Sequence, residues 1–148
     1  MTGQKIKFIK LDKNATVPSY GTEFSAGADL YALRGQEIEL KPNETVLAHT
    51  GIAMEIPEGY AGFVFARSGI ATKRGLAPAN KVGVIDSDYR GQIVVVLHNH
   101  GQQPQTVENG ERIAQMVITP VLTPPYEEAE ELSDSDRGAG GFGSTGSK

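Results

Sequence analysis

Apolar and polar residues alternate with a period of two along much of this chain, and helical periodicity hardly occurs. Ile52, Met54 and Ile56 alternate with Ala53 and Glu55 and run into the turn sequence Pro57-Glu58-Gly59. Ala61, Phe63 and Phe65 continue in the same manner, and Ile38 and Leu40 alternate with Glu37 and Glu39 ahead of the breaker Lys41-Pro42-Asn43. Ile93–Leu97 is apolar throughout and mostly β-branched, which predicts a strand buried on both faces. Asn109-Gly110 marks a turn between Thr106-Val107 and Ile113–Ile118. Only Ile70–Arg74 could pass for a turn of helix, and Gly75 stops it. Many short strands at near-regular spacing predict an all-β sandwich, jelly roll or barrel, and no fixed-period repeat is present.

The character changes from Pro120 onward. Pro124-Pro125 leads into Tyr126–Asp136, where six carboxylates stand without a lysine or arginine, and Arg137–Gly146 then holds five glycines in ten residues. Such a segment has little to bury. The expected organisation is one β domain over residues 1–123 and a flexible acidic and glycine-rich arm over 124–148.

At 148 residues, with 39% hydrophobic and 22% charged residues, the chain suits one globular domain and not a disordered one. The absence of cysteine excludes disulfides, zinc–thiolate sites, iron–sulfur clusters and cysteine nucleophiles. Net charge is −4, but the acidity sits in the C-terminal run and leaves the body close to neutral, with no broad basic face for nucleic acid. Any anionic ligand must be met by a few placed cations or by a metal, which favours a small phosphorylated molecule. The longest apolar run falls far short of a membrane span, and lysines break up residues 1–13 as a signal-peptide core. The expectation is therefore a cytoplasmic protein, a nuclear or organellar one staying open for a eukaryotic source, with neither membrane nor nucleic-acid partner.

Several segments could carry chemistry. Gly138-x-Gly140-x-x-Gly143 matches a dinucleotide fingerprint, but it lacks the strand before and the helix after that such a site requires. The tail is either a plain glycine-rich tail or a wrap for phosphates, with backbone N–H groups, Arg137, Ser144 and Thr145 as donors and Phe142 as a stacking ring. Ala66-Arg67-Ser68-Gly69 ends an apolar strand with either a solvated rim arginine or a phosphate contact. Asp86 follows Val84-Ile85 directly, where a carboxylate held dry enough could act as a general base, although Asp86-Ser87-Asp88-Tyr89 is equally good turn sequence. His98 and His100 share a face if the strand persists, but no third metal ligand is evident nearby.

Taken in order, these segments resemble the five motifs of the trimeric deoxyuridine triphosphatases (dUTPases). Ser25–Leu30 is similar to the first motif, Ala66–Gly69 to the second, Gly83–Gly91 to the third, Gly110–Met116 to the fourth and Arg137–Gly146 to the fifth. Ala28 stands where a bulkier residue often precedes the aspartate. The resemblance implies a jelly-roll-like β-barrel or sandwich and a homotrimer whose three active sites each draw on all three chains. It implies hydrolysis of dUTP to dUMP and pyrophosphate with Mg²⁺ on the triphosphate, which keeps uracil out of DNA and supplies dUMP for thymidylate synthesis.

Carried onto this chain, the resemblance makes Asp86 the residue that deprotonates the attacking water. Tyr89 would lie against the deoxyribose, and Asn80 with the backbone of Gly83, Val84 and Ile85 would read uracil. Arg67, Ser68, Gly69 and Gln115 would hold phosphates, and Asp29 would support the hydrated metal. Arg137, Phe142, Gly143, Ser144 and Thr145 would close over the nucleotide. Two rivals share the resemblance: a dCTP deaminase relative, which would carry glutamate in place of Asp86 and lack the glycine-rich arm, and a non-catalytic nucleotide-binding regulatory trimer.

Overall fold

The structure is a computed structural model that describes residues 3–147; Met1 and Thr2 of the expected domain and Lys148 of the expected arm lie outside the described residues. A four-stranded sheet has the order β1 (Lys7–Lys10), β5 (Thr45–Glu55), β9 (Gln92–Asn99), β7 (Leu76–Pro78). A five-stranded sheet has the order β2 (Ser19–Tyr20), β3 (Ala28–Tyr31), β11 (Arg112–Pro120), β6 (Tyr60–Phe65), β8 (Gly83–Ile85). Between them in sequence, β4 (Ile38–Leu40) pairs with β10 (Gln105–Val107). All pairings are antiparallel and most join strands distant in sequence, as in a jelly-roll β fold. No helix among the described residues is long and apolar enough to cross a membrane.

One core collects the inward side chains of all three sheets, with Leu30, Leu40, Ile52, Leu76, Ile93, Leu97 and Ile113 almost wholly buried. Ile38 and Leu40 face inward while Glu37 and Glu39 stay exposed, as the alternation predicts. Two polar side chains enter the core already satisfied. Thr50 donates to the Ile93 carbonyl at 2.6 Å, and Asn99 donates to the carbonyls of Leu40 and Gln103 at 3.1 and 2.8 Å. Gly51 sits beside Thr50 at φ 71°, where the β5–β9 register shifts between His49 and Ala53; this bulge needs a residue at ease in left-handed backbone.

Two strand expectations need correction. Within Ile93–Leu97 only Ile93, Val95 and Leu97 are buried, while Val94 and Val96 on the other face are half-exposed beside His49 and the exposed Leu47. No element of the described chain covers that face. In β6, Ala61 is buried but Phe63 is half-buried and Phe65 is 36% exposed. The core side of β6 is taken instead by Val64 and by the bare α-carbon of Gly62, over which Met116 and Ile56 pack. Period two is present there, but the aromatic residues point outward.

The helical turn is real and begins two residues early, as α1 (Ser68–Arg74). Gly75 ends it in left-handed conformation at φ 67°, its N–H meeting the carbonyls of Ala71 and Ile70. Asn109-Gly110 does make a turn, closed by Glu111 N–H donating to Glu108 C=O at 3.0 Å, yet it links β10 and β11, which belong to different sheets. From Val121 to Ser147 there is neither strand nor helix.

Candidate active site

The predicted site residues fall into three groups. The first lies on the five-stranded sheet. Asp29 on β3 stands directly opposite Gln115 on β11, and Gln115 in turn stands opposite Phe65 at the end of β6. Arg67, two residues beyond that strand, donates from Nε to Asp29 Oδ1 at 2.8 Å. The pair is mostly sheltered, with side-chain exposures of 28% and 13%, so the carboxylate fixes the guanidinium and its outer N–H groups stay available. Gln115 donates to the Ala66 carbonyl at 2.9 Å, and Ser68 and Gly69 open α1, where backbone N–H groups lack intrahelical acceptors. Asp29, Arg67, Ser68, Gly69 and Gln115 thus converge on one donor-rich corner in which the Arg67 charge is balanced by Asp29.

Two members of this corner lie inside the quoted motifs but are given no role there. Arg112 Nη1 lies 3.7 Å from Asp29 Oδ2 and its guanidinium lies 6.0 Å from the centre of the Tyr31 ring, whose hydroxyl is 2.7 Å from Ser19 Oγ. A Cβ on Gly27 would come within 3.0 Å of Gln115 Cδ and 3.1 Å of its Cβ, so glycine there leaves the glutamine its place. Both depend on β3 and β11 being neighbours, which no local pattern in the sequence announces.

The second group follows the chain from Asn80 through β8 to Tyr89. Among the described residues β8 pairs only with β6, as Gly83 with Val64, Val84 with Phe63 and Ile85 with Gly62. Its outer edge therefore keeps backbone donors and acceptors without a ladder partner. The turn after it is closed by Tyr89 N–H donating to Asp86 C=O at 3.2 Å, and Arg90 braces it by donating to the Ser87 carbonyl at 2.6 Å and reaching Glu55 at 3.3 Å. Asp86 is exposed, so the dry setting expected for a base is not built by this chain alone. It lines a cleft of about 770 Å³ with Lys5, Lys7, Glu58, Tyr60 and Arg90, and none of the first group borders that cleft.

The strand register shows why the two groups are apart. Ile85 is level with Gly62, so Asp86 lies beside the Ala61 end of β6, whereas Arg67 follows the other end. Six residue steps separate those positions, about 20 Å at roughly 3.3 Å per step.

The third group, Arg137, Phe142, Gly143, Ser144 and Thr145, forms a string of turns with its side chains facing solvent. Arg137 donates to the Gly140 carbonyl at 2.7 Å, Phe142 and Gly143 have positive φ, and the Phe142 ring is fully exposed. The histidine pair belongs to none of these groups. His98 shares a 2.7 Å hydrogen bond with Thr45, and its ring meets that of His100 edge-on at 4.5 Å. Among the described residues no three His, Asp or Glu side chains gather as metal ligands. Asp29 is a single carboxylate already paired with two guanidinium groups, which rules out a protein cage; a hydrated ion would have to arrive on an anionic ligand and meet Asp29 only through its waters.

Residues 13–146 match the model of the dUTPase family. Among curated proteins, the chain is 50% identical over 143 residues to deoxyuridine 5'-triphosphate nucleotidohydrolase of Desulfitobacterium hafniense, covering 96% of this chain and 95% of that one. It is 48% identical over 142 residues to the enzyme of that name from Nautilia profundicola, covering 96% and 99%. Among solved structures, the dUTPase of Staphylococcus bacteriophage 80alpha with dUpNHpp superposes with a TM-score of 0.89 at 31% identity, over 96% of this chain and 98% of that one.

Proposed function

Because this chain belongs to the dUTPase family and is a dUTP diphosphatase, we propose that Asp86 takes the proton from a water that attacks the α-phosphorus, in a site shared between copies of the chain. A new oxygen–phosphorus bond forms at the α-position, the bridging bond to the β-phosphate breaks, and pyrophosphate leaves with dUMP as the other product. The observation that carries this reading is the separation along β6. Asp86 and Tyr89 stand at one end and the phosphate-holding corner of Arg67, Ser68, Gly69 and Gln115 at the other. A nucleotide with its α-phosphate at Asp86 cannot reach the corner of the same chain, so the corner must come from a neighbour.

The outward face of β6 and β8 supports a homotrimer. Phe63, Phe65 and the 58% exposed Val84 make an apolar strip running between the two groups, as expected of a surface that another copy covers. Closure by a neighbour would also withdraw Asp86 from bulk water. Asn80 and the free edge of Gly83, Val84 and Ile85 would pair with the uracil edge, and the Tyr89 ring would pack on the deoxyribose where a 2′-hydroxyl would stand. Asp29 would orient Arg67 and accept hydrogen bonds from the waters of Mg²⁺, which when bound neutralises charge on the phosphates. The body and the arm remain distinct units in this reading: Arg137, Phe142, Gly143, Ser144 and Thr145 fold over the bound triphosphate and exclude water.

The test is Asp86→Asn. The amide keeps the shape of the carboxylate but cannot accept the proton, so the purified variant should bind dUTP and lose about 10²–10⁴ in kcat. Turnover near the wild-type rate would place the base elsewhere.

A further inference from the structure

Tyr89 does not reach out from its turn. Its hydroxyl donates to the Gln92 carbonyl at 2.8 Å, which lays the ring back across Gly91. A Cβ built on Gly91 would stand 2.5 Å from Tyr89 Oη, 2.7 Å from Cζ and 3.1 Å from Cε2. Non-bonded carbon atoms settle at about 3.5–4.0 Å, so the ring and any side chain at position 91 cannot share this space. Left-handed backbone is not what calls for glycine here, because Gly91 is absent from the positive-φ glycines. Nor can the turn readily follow a displaced ring. It is closed by the Tyr89–Asp86 backbone bond and braced by Arg90 on Ser87 and Glu55. If position 91 gains a methyl group, the ring moves and its hydroxyl leaves Gln92.

We propose that Gly91 is a specificity-determining positioning residue, whose bare α-carbon seats the Tyr89 ring at the depth that separates deoxyribose from ribose. The proposal rests on the reading of Tyr89 as the wall against the 2′-hydroxyl. A loose apolar wall rejects one added hydroxyl poorly, so the discrimination depends on a ring fixed at both ends, by its turn and by its hydroxyl.

The experiment measures kcat and KM for dUTP and UTP by pyrophosphate release from full-length wild type, Gly91→Ala, Tyr89→Ala, Tyr89→Phe and the Gly91→Ala/Tyr89→Ala double variant. Gly91→Ala should narrow the dUTP-to-UTP ratio of kcat/KM by about tenfold or more, chiefly through KM for dUTP. Tyr89→Ala should narrow it similarly, and the double variant should add nothing, because both changes act through one ring. Tyr89→Phe keeps Gly91 but loses the anchor on Gln92, so it should shift the ratio the same way and carries the test if Gly91→Ala does not fold. An unchanged ratio in Gly91→Ala or in Tyr89→Phe, with a changed one in Tyr89→Ala, overturns the positioning role alone. An unchanged ratio in Tyr89→Ala overturns the reading of Tyr89 on which it rests.

Discussion

If Asp86 works with the Arg67 of a neighbouring copy, two inactive variants should rescue each other. An Asp86→Asn chain lacks the base but keeps its phosphate corner, and an Arg67→Ala chain has the reverse defect. The β6–β8 register puts the two positions about 20 Å apart in one chain, far beyond the two anhydride links from α- to γ-phosphate. Alone, Asp86→Asn should fall about 10²–10⁴-fold in kcat. Arg67→Ala should lose about 1.5–3 kcal/mol, the range for a hydrogen bond to a charged group, or roughly one to two orders of magnitude. When the two are unfolded together in equal amounts and refolded, random assortment around a closed ring pairs an intact Asp86 with an intact Arg67 in about a quarter of the sites. Pyrophosphate release should then approach a quarter of the rate of wild type refolded in the same way, well above either parent. A mixture no faster than the mean of its parents would show that both residues serve the same chain, and the shared site would fall.

Deleting residues 137–148 should leave the melting temperature nearly unchanged, since Phe142 and its neighbours bury nothing, while kcat drops severely; full activity in the truncated protein would make the arm a mere tail. Leu97→Ala should cost about 2–5 kcal/mol of unfolding free energy in denaturant titration, because the side chain is wholly buried and Asn99 beside it holds the strand end in place.

Much of this protein could be read from the chain alone because it is local. The turns at Pro57–Gly59 and Asn109-Gly110 and the stop at Gly75 follow from backbone preferences of two or three residues, and they occur where the sequence puts them. The period of two at Ile38–Leu40 follows from strand geometry and from the need to bury one face, whereas at Ile52–Met54 the small Ala53 is buried as well, so the alternation there does not mark an open face. The five motifs in order were likewise legible, though a motif names residues without placing them. Tertiary structure decided the rest. Alternation cannot say which face of a strand meets the core, so Phe63 and Phe65 came out facing solvent, and Val94 and Val96 were left half-covered. Asn109-Gly110 could not reveal that its two strands enter different sheets. Asp29 and Arg67 are 38 positions apart and meet only because β11 brings β3 and β6 to its two sides, an order set by the packing of the whole barrel. The bare α-carbon at position 91 makes the same point at the smallest scale: what a side chain there would meet is the Tyr89 ring, a contact in space which no pattern along the chain encodes.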